Sequence, residues 1–159
     1  MITLSELYRY PLKSAAGTSV DAVRIDAFGV AGDRRYMVVD PAGHFMTQRR
    51  HPKMALLGAT LDPGGLTLTY PGHPSLRVSP PAPGPASMVE IWGESVAGHD
   101  VGDEAAGWLS ACLNAPCRLV YMRDETCRPV DPNFTTQAAQ VSFADGFPLL
   151  LIGQASLDD

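Results

Sequence analysis

The side chains of this chain best suited to chemistry are Lys13 and Ser14, in the stretch YPLKSAAG, and the later run Asp33-Arg34-Arg35. An ammonium next to a hydroxyl has three ordinary uses. A nucleotide P-loop places Lys-Ser/Thr after G-x-x-x-x-G, between a strand and a helix. No glycine precedes Lys13, Pro11 stands where the amide cradle would turn, and the following residues are strand-like, so that use is excluded. A Ser-Lys dyad needs the lysine to act as base for its own neighbour, yet adjacent side chains on extended backbone point to opposite faces. The third use is an anion site, in which ammonium, hydroxyl and the free amides of a non-helical stretch hold a phosphate by charge and hydrogen bonding. Arg34 and Arg35 open a strand, so one is expected to face inward and one outward. A guanidinium makes forked contacts to phosphate oxygens, and Asp33 is placed to orient it. Taken alone, this pattern leaves solvated surface charges as the open alternative.

The charge distribution narrows the field. The chain carries a net charge of -5, but residues 1–53 hold eight Lys/Arg against five acids, and the rest holds four against twelve. A basic first third on an acidic chain suits a local anion site. A nucleic-acid surface needs many phosphate contacts spread over a face, so no nucleic-acid partner is expected. There is no run of about eighteen apolar residues, and the opening MITLSELYRY lacks the regions of a signal peptide. The expectation is therefore a cytoplasmic protein with no membrane partner. Cys112, Cys117 and Cys127 are odd in number and fit no metal-ligand spacing, which predicts reduced thiols. His44, His51, His73 and His99 form no H-x-x-x-H pair, and Glu90 and Glu94 read as exposed charges, so no metal site is predicted.

Short β-prone runs must position these groups. They recur at the spacing of a sandwich or barrel: ITLSELYRY, DAVRIDAF, RYMVVD, HFMTQR, MALLGATL, LTLTY, SLRVS and MVEIW. VVDPAGHFM reads as a hairpin, DPGG at 62–65 as a second turn, and SPPAPGPAS as a loop that cannot join a ladder. One helix is predicted in GDEAAGWLSACLNAP, with Asp103 as its cap, Asn114 and Pro116 as its stop, and Trp108 on its apolar stripe. A strand, CRLVYM, follows. The fold class is mainly β (α+β), a β-barrel with one packed α-helix. Residues 1–122 form that domain. Residues 123–159 read as a connector and the start of a second domain, expected to be loose from RDETCRPVDPNFTTQAAQ onward. They contain a turn at Asp145-Gly146, with Asp145 a further candidate for the site, then an apolar strand at 148–152. Ser156 with Asp159 makes a helix-start signature that no helix follows.

The segments LYRYPLKSAAG, GDRRYMVVDPAGHFMTQRRHPKMALL, VGDEAAGWLSACL and VSFADGFPLLLIGQASLDD together resemble the N-terminal β-barrel domain of MOSC proteins. The resemblance implies a barrel packed against a C-terminal MOSC domain, with molybdopterin, the molybdenum cofactor, between them. It implies that Lys13 and Ser14 contact the pterin phosphate and that Arg34 contacts the cofactor, with Arg35, Arg49 and Asp145 as further candidates. The activity implied is reduction of small N-hydroxylated compounds, with electrons from a separate reductase. The family's metal-binding cysteine lies in the C-terminal domain, beyond Asp159, and none of the three cysteines here matches it. The fragment alone is therefore expected to be inactive. The second expectation is a non-catalytic, stand-alone β-barrel that serves as a binding module and exposes no large apolar patch.

Overall fold

Tyr-Met-Val-Val at 36–39 has no position reserved for water, the pattern of a strand covered on both faces. In the computed structural model, which describes residues 3–158, this run is β5 (Tyr36–Val39), and all four of its residues are buried. The preceding strands are short: β1 (Tyr8–Arg9) pairs with β2 (Thr18–Ser19), and β3 (Ile25–Asp26) with β4 (Gly29–Val30). A three-stranded meander follows, β6 (Gly58–Asp62), β7 (Gly65–Tyr70) and β8 (His73–Val78). Its first turn is the predicted Pro63-Gly64. Then come β9 (Ser87–Ile91), β10 (Glu94–Asp100), the helix α1 (Asp103–Leu113) and β11 (Arg118–Tyr121).

The central sheet has the antiparallel order β5-β11-β10-β9. Its two faces serve two cores. Tyr36, Val38 and Leu119 point into a cluster with Leu57, Leu66 and Leu68 of the meander side and Leu109 and Leu113 of α1. Met37, Val39 and Val120 point the other way, against Phe28, Val89, Ile91, Met122 and Phe143. This period-two sorting explains why β5 and β11 read as unbroken apolar runs. α1 packs on the first cluster and is tied to β8 by the Trp108 indole N–H, which donates to the Pro74 carbonyl at 2.8 Å. Gly102, rather than Asp103, caps the helix; Asp103 sits inside the first turn, where its charge suits the helix dipole and meets Arg118 at 2.8 Å.

The mainly β class with a single helix holds, but the strands do not close into a barrel. Among the described residues they form four separate sheets. Two breaks account for this. Residues 79–86 run without pairing between β8 and β9, as their prolines require. The predicted strand HFMTQR bridges only at His44 and Phe45, then turns, because the Thr47 carbonyl accepts the amides of Arg50 and His51 just before Pro52 opens a 3₁₀ helix, Pro52–Leu56.

The segment expected to be loose is tied down. Arg128, only 3% exposed, donates to the carbonyls of Ser142 at 2.7 Å and Ala144 at 2.6 Å, and to Glu94 at 2.8 Å. Val130, Val141 and Ala144 form a small third cluster, and the Phe143 amide donates to the Arg34 carbonyl at 3.0 Å. A buried fork pulled the chain back onto the sheet, a long-range effect that composition does not announce. The apolar run at 148–152 is not a strand; Leu151 is 87% exposed. Ser156 ends a one-turn 3₁₀ helix, Gln154–Ser156, and Asp159 lies outside the described residues, as does Ile2 of the opening run. No helix among the described residues is long and apolar enough to cross a membrane.

Arg128→Ala leaves buried carbonyls without a donor, and each such group costs about 1–3 kcal/mol. The expected result is a fall in Tm of roughly 10 °C together with new protease cleavage between residues 123 and 147.

Candidate functional site

The chain leaves the core at Leu12 in a tight turn. The Lys13 amide donates to the Tyr36 carbonyl at 2.9 Å and the Ala15 amide to the Leu12 carbonyl at 3.3 Å. Ser14 at the corner has φ 61°, and the Gln48 side chain fastens its carbonyl at 3.1 Å. Arg34 stands beside this turn on a second left-handed residue, φ 46°. Its amide donates to the Tyr10 carbonyl at 2.7 Å, and its guanidinium pairs with Asp33 and lies over the Tyr10 ring, 4.8 Å from the centroid. Two non-glycine residues in the left-handed region, side by side, are strain of the kind that gathers at binding sites. Gly17 makes room for this arrangement: a Cβ there would sit 2.5 Å from the Tyr10 ring.

Lys13 and Arg34 open onto one cavity of about 1030 Å3. Arg49 and Arg50 also line it, against the carboxylates of Glu90 and Asp145, so cations outnumber anions four to two in a chain of net charge -5. Ser14 and Gln48 add neutral polar groups, and Tyr10, Phe45 and Trp92 supply aromatic wall. The cavity is a positive pocket with flat sides, able to take an anion joined to a planar ring.

The Lys13 side chain is buried, and its Nζ donates to Asp145 Oδ1 at 2.6 Å. Burial pushes its pKa down, the pair with Asp145 pushes it up, and the charges of Arg128 and Arg34 add to the fall; the net shift is downward. Burial opposes ionisation of Asp145, but the hydrogen bond and charge of Lys13, with the Trp92 indole and Arg34, hold its carboxyl below the usual range. Asp33 is the reverse case: burial raises its pKa despite Arg34 and the Tyr10 amide, which donates to it at 2.7 Å.

Of the residues singled out from sequence, Lys13, Ser14, Arg34, Arg49 and Asp145 meet at this cavity. Arg35 does not. It turns to the other side of β5, where it is buried between the rings of Phe28 and Tyr121, at 4.4 and 5.6 Å, and donates to the Met122 carbonyl and to Asp124. Neither arginine opens the strand as expected: Arg34 lies in a turn with a left-handed backbone and Arg35 just precedes β5, where it serves the fold. Trp92, Phe45 and Tyr10 were not anticipated from sequence. Trp92 carried a signal: it precedes Gly93 in a two-residue hairpin turn where Asn is the favoured residue. Among the described residues no group of three His, Cys, Asp or Glu could hold a metal. Cys112 and Cys117 are buried, Cys127 is exposed, and none lines the cavity.

Residues 1–116 match the family described as the MOSC N-terminal beta barrel domain. The chain belongs to that family. It is also similar to the mitochondrial amidoxime-reducing component 1 of Mus musculus, 33% identical over 99% of this chain and 49% of the relative, and to the mitochondrial amidoxime reducing component 2 of Bos taurus, 32% identical over 99% and 50%. The molybdenum cofactor sulfurase of Danio rerio is 34% identical over 79% of this chain and 16% of its own length. The chain thus spans about half the length of the amidoxime-reducing relatives it matches.

Two tests follow from this geometry. Asp33→Ala removes the partner of both Arg34 and the Tyr10 amide and is expected to cost roughly 1–3 kcal/mol in urea unfolding. Asp33→Asn, which keeps an acceptor for the amide, is expected to cost less. The second test uses pH. Because Lys13 has its pKa lowered in the fold from 10.5, the unfolded chain holds this proton to higher pH than the native one. Over that window Lys13's contribution to stability rises with pH, while affinity for an anion falls. Lys13→Arg is expected to keep its anion affinity flat across the same window, measured by phosphate titration.

Proposed function

We propose that this chain is the cofactor-binding N-terminal domain of a molybdenum cofactor-dependent oxidoreductase that reduces small N-hydroxylated compounds. In this reading residues 1–122 are the N-terminal domain and 123–159 lead into the MOSC domain that completes the site. The observation that carries this reading is the convergence of Lys13 and Arg34, with Ser14 also lining it, on one positive cavity. Family membership and the match of 99% of this chain to about half of the amidoxime-reducing relatives support the same assignment. The exposed run of Phe147, Leu149, Leu150, Leu151 and Ile152 supports it over a stand-alone module, because a surface of this kind is normally covered.

The residues present fit one end of the cofactor. Lys13, Arg34 and Ser14 suit the phosphate, with Arg49 at the rim, and the aromatic wall suits a flat pterin. Among the described residues no cluster fits the metal end. When bound, the cofactor would supply oxygen-accepting, two-electron redox chemistry for an N-hydroxyl group, with electrons from a separate reductase. This chain's residues bind the phosphate, orient the pterin by its charged end and wall the cavity from water. The fragment without its metal-holding domain is inactive.

A charge-assisted hydrogen bond is worth about 1.5–3 kcal/mol, so loss of both cations is expected to weaken cofactor retention by about a hundredfold or more. The experiment is molybdenum content of the full-length Lys13→Ala, Arg34→Ala double variant, purified from cells that make the cofactor. A metal content near zero supports the reading; undiminished molybdenum removes it.

A further inference from the structure

The Lys13 ammonium already has a charged partner with which an incoming anion must compete. The side chain is 6% exposed. Its hydrogen-bond partner is Asp145 Oδ1, and the rings of Phe45 and Trp92 cover it at 5.6 and 5.8 Å. Asp145 is the opposite kind of residue. Its side chain is 79% exposed, and it sits in a stretch, Ala144–Phe147, that joins no ladder. The same Oδ1 that takes the ammonium also accepts the Trp92 indole N–H at 3.0 Å. Two donors therefore hold one oxygen of a solvent-facing carboxylate. The backbone beneath is fixed, since Arg128 grips the carbonyls of Ala144 at 2.6 Å and Asp145 at 3.2 Å. Movement of the carboxylate is a rotation of the Asp145 side chain and leaves the segment in place.

Trp92 occupies a position that ordinarily goes to a different residue. Its φ is 53° and that of Gly93 is 82°, the geometry of a tight hairpin turn that favours Asn-Gly. A bulky aromatic residue in the left-handed region is strained, and Trp92 is 49% exposed, so burial does not account for it. Its contacts do: the indole N–H on Asp145, the ring 4.7 Å from that of Phe45, and the face toward the Lys13 ammonium. Backbone strain here supports a placement that serves the site.

We propose that Asp145, clipped in place by Trp92, is a built-in counter-anion of this site, a latch that pairs the buried ammonium when the cavity is empty and swings away when a phosphate group takes its place. This rests on the reading of Lys13 and Arg34 as the phosphate anchor. An unpaired ammonium inside the protein is costly, so the latch stabilises the empty form. The same pairing is a penalty that every anionic ligand must overcome, and removing the latch transfers that penalty from ligand binding to the stability of the empty protein.

The test measures affinity for inorganic phosphate and thermal stability in the purified protein. Asp145→Asn is expected to bind phosphate about tenfold more tightly than wild type, and Trp92→Phe about threefold, since it keeps the ring and the charge balance but loses the N–H that holds the latch shut. Asp145→Asn is also expected to melt lower without phosphate and to regain most of the difference when phosphate is added. Glu90→Gln, which removes a carboxylate from the same cavity without touching Lys13, is expected to change affinity much less. Phosphate binding at wild-type strength or weaker in both Asp145→Asn and Trp92→Phe, with binding abolished in Lys13→Ala, overturns the latch and leaves the phosphate anchor standing. An equal gain in Glu90→Gln and Asp145→Asn also overturns it, because general charge then explains the effect. Wild-type binding in Lys13→Ala overturns the anchor itself.

Discussion

The structure depends on an ammonium held among rings. Lys13 is buried where the chain turns off the central sheet, and the carboxylate that neutralises it comes from Asp145, near the other end of the sequence. A lone charge in such a place costs several kcal/mol even after the protein relaxes, on the order of the stability of a domain. The fold therefore has to bring residues 142–146 back to the site. Arg128 does this with one buried guanidinium that ties the strap to β10 through Glu94 and fixes its carbonyls. Chain segments that sequence composition would assign to different units are joined by a single electrostatic requirement.

The second cation is held by a different device. Arg34 is set by backbone, with its amide and carbonyl engaged by Tyr10 and Phe143, and its guanidinium is braced by a buried carboxylate and a ring. Burial raises the pKa of Asp33, which means that the protein spends stability to keep Arg34 aimed. Lys13 has an exposed, rotatable partner and Arg34 a buried, rigid one. One cation of the site is thus available on demand and the other is permanently placed, an arrangement suited to a ligand that arrives and stays.

Much of this was legible in the sequence because it is local. The period-two run at 36–39, the Pro-Gly turn at 63–64, the helix from Asp103 and the two basic clusters each depend on neighbours along the chain. The meeting of Lys13 with Arg34 needed only that the two turns carrying them be adjacent. What was not legible is non-local. Arg49 stands on a turn because Thr47 caps it ahead of Pro52. Arg35 left the site because Met122 and Asp124, more than eighty residues away, hold it. The failure of the sheets to close into a barrel, and the anchoring of 123–147, depended on pairings that no local pattern encodes. Trp92 is the intermediate case, since its misfit to a hairpin turn was visible while its partner was not.

The central claim is that Lys13 and Arg34 act on one anion. A crystal structure of the protein grown with saturating inorganic phosphate tests it most directly. The account predicts a phosphate in the cavity within hydrogen-bonding distance of both Lys13 Nζ and the Arg34 guanidinium. Density for phosphate at either cation alone, or none in this cavity while phosphate binds elsewhere on the surface, would contradict it.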